Sequence, residues 1–323
     1  GPGSKLSIDL TGVQNNQRET AEVLLTTVGR VLGYALQGNK LSMNNGFFQI
    51  GGTSLNAVLT VTSLRDLGYH IGIGEFLKAE TFGDVLQKLT PIKVGADDND
   101  KICNIDDKDD SYTSHYLKET HKDLVKRMVC DSFINKGDLE VLVGVQEQDY
   151  QILMDNIYSE LVKQELSFII CRSNSGDVVA CSLNFDLYAE PVVDPPTKSL
   201  AYILDFLEDV ESLVRGRLPE GVGKVVHSFM MATEKSVGAA ENVELIQVME
   251  KENLKMAKNK NFEAVFTTNT SELTQHVCDD LLNYTVLSSN QVNLWTALDA
   301  TQPFKKAPDD MNAVTTVKFI SEM

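Results

Sequence analysis

The stretch from Pro91 to Tyr112, PIKVGADDNDKICNIDDKDDSY, limits most strongly how this chain can fold, because it is dense in Asp and poor in large apolar side chains. No hydrophobic core can be assembled on such a segment, so burial has to be completed separately on either side of it. The expected organisation is an acidic linker at 91–112 between a segment of 18–90 and a larger one of 113–323. A length of 323 residues points the same way, being long for one ordinary domain. Residues 1–17 open with Gly-Pro-Gly-Ser, which reads as a protease-cleavage scar, and the natural N-terminus is expected upstream.

Periodicity predicts different architectures on the two sides. From Arg18 to Leu36, Leu24, Leu25, Val28, Val31, Leu32 and Ala35 recur at helical spacing. A second helix is predicted from Ser54, with Leu55, Val58 and Leu59 on one side and Gly68 as its C-cap. Short helices at Gly74–Lys78 and Phe82–Leu89 complete an expected all-α four-helix bundle. Beyond the linker the reading is helix (His115–Phe133), helix (Asp149–Gln164), a hairpin turning at Ser173–Asp177, and helix (Ser199–Val214). A strand at KVVHSFMMA, a helix at Glu241–Lys258, a strand at FEAVFTTN, a helix at Ser271–Leu282 and late strands follow. That alternation predicts an α/β domain, a mixed sheet covered by helices.

A formal charge of −17 disfavours nucleic acid and anionic membrane surfaces as partners. The five cysteines, Cys103, Cys130, Cys171, Cys181 and Cys278, contain no C-x-x-C pair, so reduced thiols are expected and no metal site. No apolar run is long enough to span a bilayer, and a cytoplasmic monomer is the expectation.

The stretch FFQIGGTSLN, Phe47–Asn56, places Ser54 after two glycines and at the first turn of a helix, where backbone N–H groups and the helix dipole favour a phosphate. A plain N-cap at Thr53 or Ser54 explains the same letters. Phe47, Phe48, Gly51, Gly52, Ser54 and Leu55 resemble the F-F-x-x-G-G-x-S-L stretch of the carrier domains of nonribosomal peptide synthetases and of acyl carrier proteins. The resemblance spans Arg18–Leu89. It implies that Ser54 carries 4'-phosphopantetheine, placed by a phosphopantetheinyl transferase, with an acyl group held on its thiol as a thioester.

In the larger segment, Lys235, Ser236, Val237, Gly238, Ala239 and Ala240 form K-x-x-G-x-A between a strand and a helix, a loop that directs N–H groups toward an anion. The order of elements around it, from Ser114 to Met323, resembles the Gcn5-related N-acetyltransferases, and within them the arylalkylamine N-acetyltransferases of insects. Lys235 stands where that family has Arg or Gln, and Asn283-Tyr284 where it often has Gly-Phe. A carrier followed by such a domain resembles the C-terminal part of the insect β-alanyl-amine synthetases. The resemblance implies an enzyme that moves an aminoacyl group, β-alanyl in that family, to dopamine, histamine or a related biogenic amine. ATP would act only through an upstream adenylation domain absent from this sequence.

Amide formation needs the free base of an amine that is protonated at neutral pH, so a proton acceptor is required. The resemblance places it in FINKGDLEVL, which offers Asp138, beside the Gly137 turn, and Glu140, within the renewed apolar pattern and so the favoured one; each could equally be a solvated surface acid. Backbone N–H groups of Met230, Met231 and Ala232 are the candidates for polarising a thioester carbonyl. Ser271 aligns with a serine of the insect relatives and is otherwise a helix N-cap. His227 and His276 read as structural or solvent-exposed, while Asp186 is a candidate acid for an ammonium and Phe185, Tyr188 and Phe229 are candidate walls for an aromatic amine or ordinary core. Two further readings stay open: an acetyl-CoA-dependent acetyltransferase joined to a carrier, and a non-catalytic domain that docks the carrier.

Overall fold

The computed structural model describes residues 6–34, 40–91 and 111–323. The residues before 6, Ala35 and Leu36 of the first predicted helix, Cys103 and nearly all of the acidic stretch lie outside the described residues. Two compact units partition the chain: Gly1–Lys108 with Gly238–Glu244, and Asp109–Val237 with Leu245–Met323.

In the first unit β1 (Ser7–Asp9) pairs in parallel with β2 (Lys40–Ser42), and β3 (Tyr69–His70) pairs antiparallel with β4 (Thr90–Pro91). The helices are α1 (Arg18–Val31), α2 (Ser54–Asp66), α3 (Ile73–Lys78) and α4 (Phe82–Lys88). Their apolar faces meet through Leu24, Leu25, Val28, Val58, Val61, Leu64, Phe76 and Phe82, all buried. The expected all-α four-helix bundle is corrected on this point. Six- and seven-residue helices are only about 10 Å long, too short to pack lengthwise as bundle members. Strand pairs share the unit with them, and among the described residues no separate four-helix carrier bundle is evident.

The second unit is α/β. Its elements are β5 (Tyr112–Tyr116), α5 (Lys122–Lys136), α6 (Asp138–Val143), α7 (Glu147–Gln164), β6 (Phe168–Arg172), β7 (Val178–Asp186), α8 (Lys198–Ser212), β8 (Val225–Thr233), the part of α9 (Ala239–Asn259) from Leu245 onward, β9 (Ala264–Asn269), α10 (Glu272–His276), β10 (Thr285–Gln291) and β11 (Asn312–Phe319). His115 and Tyr116, read from sequence as helix, belong to a strand: Y-T-S-H-Y is rich in aromatic and β-branched residues and adds as an edge to β6. The seven strands run β10-β11-β9-β8-β7-β6-β5. Every described neighbour pair is antiparallel except β8 with β9.

Alternation along the strands divides two cores. Ile169 and Cys171 of β6 and Leu183 and Phe185 of β7 pack with Leu153, Ile157 and Phe206 from α7 and α8. Phe168 and Ile170 face the other way, against Leu245 and Met249 of α9. No described helix is long and apolar enough to cross a membrane. The four described cysteines are free and buried.

One buried acid sets a stability prediction. Glu250 of α9 is 1% exposed and accepts the Tyr284 hydroxyl at 2.9 Å. Burial raises its pKa from 4.5 to about 7, against the opposing pull of the Tyr284 bond. Between those values the folded chain holds a proton that the unfolded chain releases. This group's contribution is therefore full below pH 4.5 and lost as pH rises to about 7. Glu250→Gln should raise the unfolding free energy at pH 8 by up to about 3 kcal/mol and leave it little changed at pH 4. Urea titrations at the two pH values check this.

Candidate functional site

Ser54 is the first residue of α2. The residue before it, Thr53, is the N-cap: its side chain accepts the Asn56 N–H at 3.1 Å while Asn56 Oδ1 accepts the Thr53 N–H at 3.2 Å. Capping is thus assigned to Thr53, which leaves the half-buried Ser54 hydroxyl out of that role. The two glycines have separate uses. Gly51 adopts φ +99°, a left-handed conformation, and a Cβ at Gly52 would collide with the ring of buried Phe47, which packs edge-on against Phe76 at 4.9 Å.

A second feature is an opening in the sheet. The parallel ladder between β8 and β9 pairs Val225–Ser228 with Ala264–Thr267 and then stops, although β8 continues to Thr233 and β9 to Asn269. On its other side β8 stays paired with β7 throughout, with a bulge where Leu183 matches Met230 but Asn184 matches Ser228. The extra residue, Phe229, bends the strand and steers it away from β9. Glu234 N–H bonds Val179 O at 2.8 Å, which fixes the phase of the ladder: Met230 and Ala232 direct their backbone groups to β7, and Met231 and Thr233 direct theirs away from it. Of the three candidates for polarising a carbonyl, Met231 alone therefore faces the opening.

The acids gather at the start of α6. Glu140 is 7% exposed and accepts the Tyr150 hydroxyl at 2.6 Å. Burial raises its pKa, while the Tyr150 bond and its own backbone N–H pull the other way. Phe133 of α5 stacks on Tyr150 at 5.5 Å, and a Cβ at Gly137 would collide with the Glu140 carboxylate. Asp138 is exposed; its pKa is raised by partial burial and by the like charge of Glu272. Glu272, whose charge acts on Asp138, follows Ser271 at the start of α10, and Ser271 is the N-cap of that helix without making a side-chain cap bond.

In the loop before α9, Ser236 N–H donates to the Glu234 carboxylate at 2.8 Å and the Ser236 hydroxyl bonds the same oxygen. Lys235, Ser236, Gly238 and Ala239 are exposed, Val237 is buried and Ala240 is half-buried. The helix start is open, with nothing within 4 Å of a Cβ built at Gly238.

One cluster was not foreseen from sequence. His227 of β8, 5% exposed, lies between Glu190 and Glu211, with its Nε2 3.1 Å from Glu211 Oε1, which also accepts the Thr268 hydroxyl at 2.8 Å. The two carboxylates raise the His227 pKa well above its ordinary value against the opposing effect of burial. Glu211 sits on the apolar stripe Leu200, Ile203, Leu207 of α8, and an acid on such a stripe was the signal. Asp186, a candidate for an ammonium, is used instead by the backbone N–H groups of Tyr188 and Gly223. Phe185 and Phe229 do meet edge-on at 5.5 Å. His276 pairs with Asp280.

No family model matches the chain. It is 35% identical over 318 residues, 96% of its length, to the beta-alanyl-bioamine nonribosomal peptide synthetase ebony of Drosophila melanogaster, of which it spans 35%. A structure of the C-terminal condensation domain of Ebony in complex with beta-alanyl-dopamine superposes with a TM-score of 0.63 at 36% identity, over 64% of this chain and 98% of that one. The chain belongs to the family of that Ebony domain. A structure described as an insect putative arylalkylamine N-acetyltransferase 7, from Aedes aegypti, 9% identical with a TM-score of 0.53 over 65% of this chain and 87% of that one, is similar in fold. Over that share of the chain the Ebony match is to a single α/β domain, which is the architecture that replaces the expected bundle-plus-sheet class.

Proposed function

We propose that this chain is the part of a β-alanyl-amine synthetase that forms an amide, passing a β-alanyl group from a phosphopantetheine arm on Ser54 to a biogenic amine such as dopamine or histamine. The likeness to an Ebony domain bound to beta-alanyl-dopamine supports the substrates. The observation that carries the chemistry is the parting of β8 from β9, which leaves Met231 N–H turned toward a gap in an otherwise continuous sheet.

The residues around Ser54 fit the arm. Thr53 does the capping, Gly51 and Gly52 allow the turn, and the serine hydroxyl stands at a helix start of thirteen residues, where a phosphodiester is favoured. When bound, the arm supplies a thiol that carries the acyl group as a thioester and leaves as the amine nitrogen takes that group. Met231 N–H polarises the acyl carbonyl as charge develops on its oxygen. Glu140 removes the proton from the amine nitrogen, directly or through water; its raised pKa makes it a stronger base than an exposed carboxylate. Asp138 and Glu272 add negative charge that attracts an ammonium. Ser271, whose side chain makes no cap bond, is assigned the return of a proton to the thiol group as it departs. In Lys235–Ala240 the N–H groups of Ser236 and Val237 are taken by Glu234, which leaves those at the start of α9, Gly238–Ala240, to meet an anion, and the Glu234 carboxylate weighs against a polyphosphate donor such as coenzyme A. Activation of β-alanine with ATP belongs to an upstream adenylation domain, and a phosphopantetheinyl transferase would load Ser54. We place the chain in the cytoplasm as a monomer.

The test is transfer by the loaded protein. After pantetheinylation and charging with β-alanine, addition of dopamine should release β-alanyl-dopamine, detected by mass spectrometry, while acetyl-CoA with dopamine should yield no product. Acetylation without amide release supports the acetyltransferase reading instead, and an inert charged protein supports a docking domain.

A further inference from the structure

We infer that Ser132 is a positioning residue, holding the free end of β8 so that the Met231 N–H keeps its aim into the gap; this rests on the transfer reading above. Where β9 departs, the outward-facing backbone groups of β8 lose their strand partner, and such groups need another. Thr233, the last residue of β8, faces the same way as Met231. The Ser132 hydroxyl serves both of its backbone groups, donating to Thr233 O at 3.1 Å and accepting Thr233 N–H at 3.3 Å. A single side chain from α5 thus stands in for the missing strand at one end of the opening. At the other end Ser228 O accepts the Thr267 hydroxyl at 3.5 Å. Between these two anchors lies the bulge at Phe229, and then Met231.

The geometry explains why a serine is needed there. Only a hydroxyl donates and accepts through one atom, so it can bond both backbone groups of one residue. The next residue of α5, Phe133, stacks on Tyr150, which bonds Glu140. One turn of α5 therefore ties the donor-polarising strand and the proton acceptor to a common frame. Loss of the hydroxyl removes this partner from both open-side backbone groups of Thr233 while Glu234 N–H still holds Val179 O, so the stretch from Met231 to Thr233 is loosened on the side facing the gap without being released from β7.

The experiment compares Ser132→Val with Ser132→Thr, which have nearly the same shape but differ in the hydroxyl. Hydrogen exchange followed by mass spectrometry should show peptides covering Met230–Glu234 exchanging about fivefold faster in the Val variant and near the wild-type rate in the Thr variant. Single-turnover transfer by the charged protein should fall about tenfold in Val and recover in Thr, with the amine KM unchanged. Wild-type exchange and rate in Ser132→Val overturn the inference. If wild-type protein transfers nothing, the transfer reading fails by itself, and the exchange comparison still decides whether Ser132 tethers β8. Should Ser132→Val misfold, Ser132→Ala gives the same comparison.

Discussion

Glu140→Gln is expected to lower the rate of amide formation by about 10²- to 10⁴-fold, the usual effect of removing a general base, with the fold retained. Gln keeps the size and an oxygen acceptor for Tyr150, so the buried bond at 2.6 Å survives in neutral form. What disappears is the ability to take a proton. The pH dependence separates this from a structural effect. In the wild type the rate should climb with pH as Glu140 ionises, at a pH above the ordinary carboxylate range because burial raises its pKa. Glu140→Gln should lack that limb. Tyr150→Phe should shift the limb further up, since the Tyr150 hydroxyl favours the ionised form. A wild-type pH profile in Glu140→Gln would pass the role to Asp138.

Ser54→Ala is expected to abolish the reaction altogether, because no other residue would hold the acyl donor. Intact-protein mass spectrometry after treatment with a phosphopantetheinyl transferase should show no added group, and β-alanine should not be retained. Thr53→Ala is the paired control. It removes the N-cap of α2 at a cost of about 1 kcal/mol, lowering the melting temperature, yet it leaves the attachment hydroxyl in place. Modification of Ser54→Ala, or loss of modification in Thr53→Ala with α2 intact, contradicts the assignment.

Much of the second unit was legible because its elements are long and their patterns clean. The hairpin around Ser173–Asp177 and the helices α7, α8 and α9 follow directly from alternation and from 3.6-residue periodicity. The edge strand Tyr112–Tyr116 was not, since five residues next to a helix carry too little pattern to mark the change. In the first unit local periodicity found the helices but could not find the small strand pairs. Ladders of two or three residues are created by tertiary contact rather than by propensity. Glu140 was readable as an acid within a renewed apolar run, whereas its partner Tyr150 comes from another helix and gives no local sign. Ser132 and Thr233 stand 101 residues apart, and their bond is a product of the fold alone.

The bulge in β8 also governs what this strand can tolerate over evolutionary time. On its N-terminal half odd-numbered His227 looks toward Glu211 of α8; past the bulge even-numbered Met230 and Ala232 take that side, and Met231 sits against the α9 core. Deleting a single amino acid between these halves would turn the distal half inside out, exchanging which side chains meet oil and which meet the crevice. Side-chain identity in this segment is therefore open to drift, and its count of residues is not.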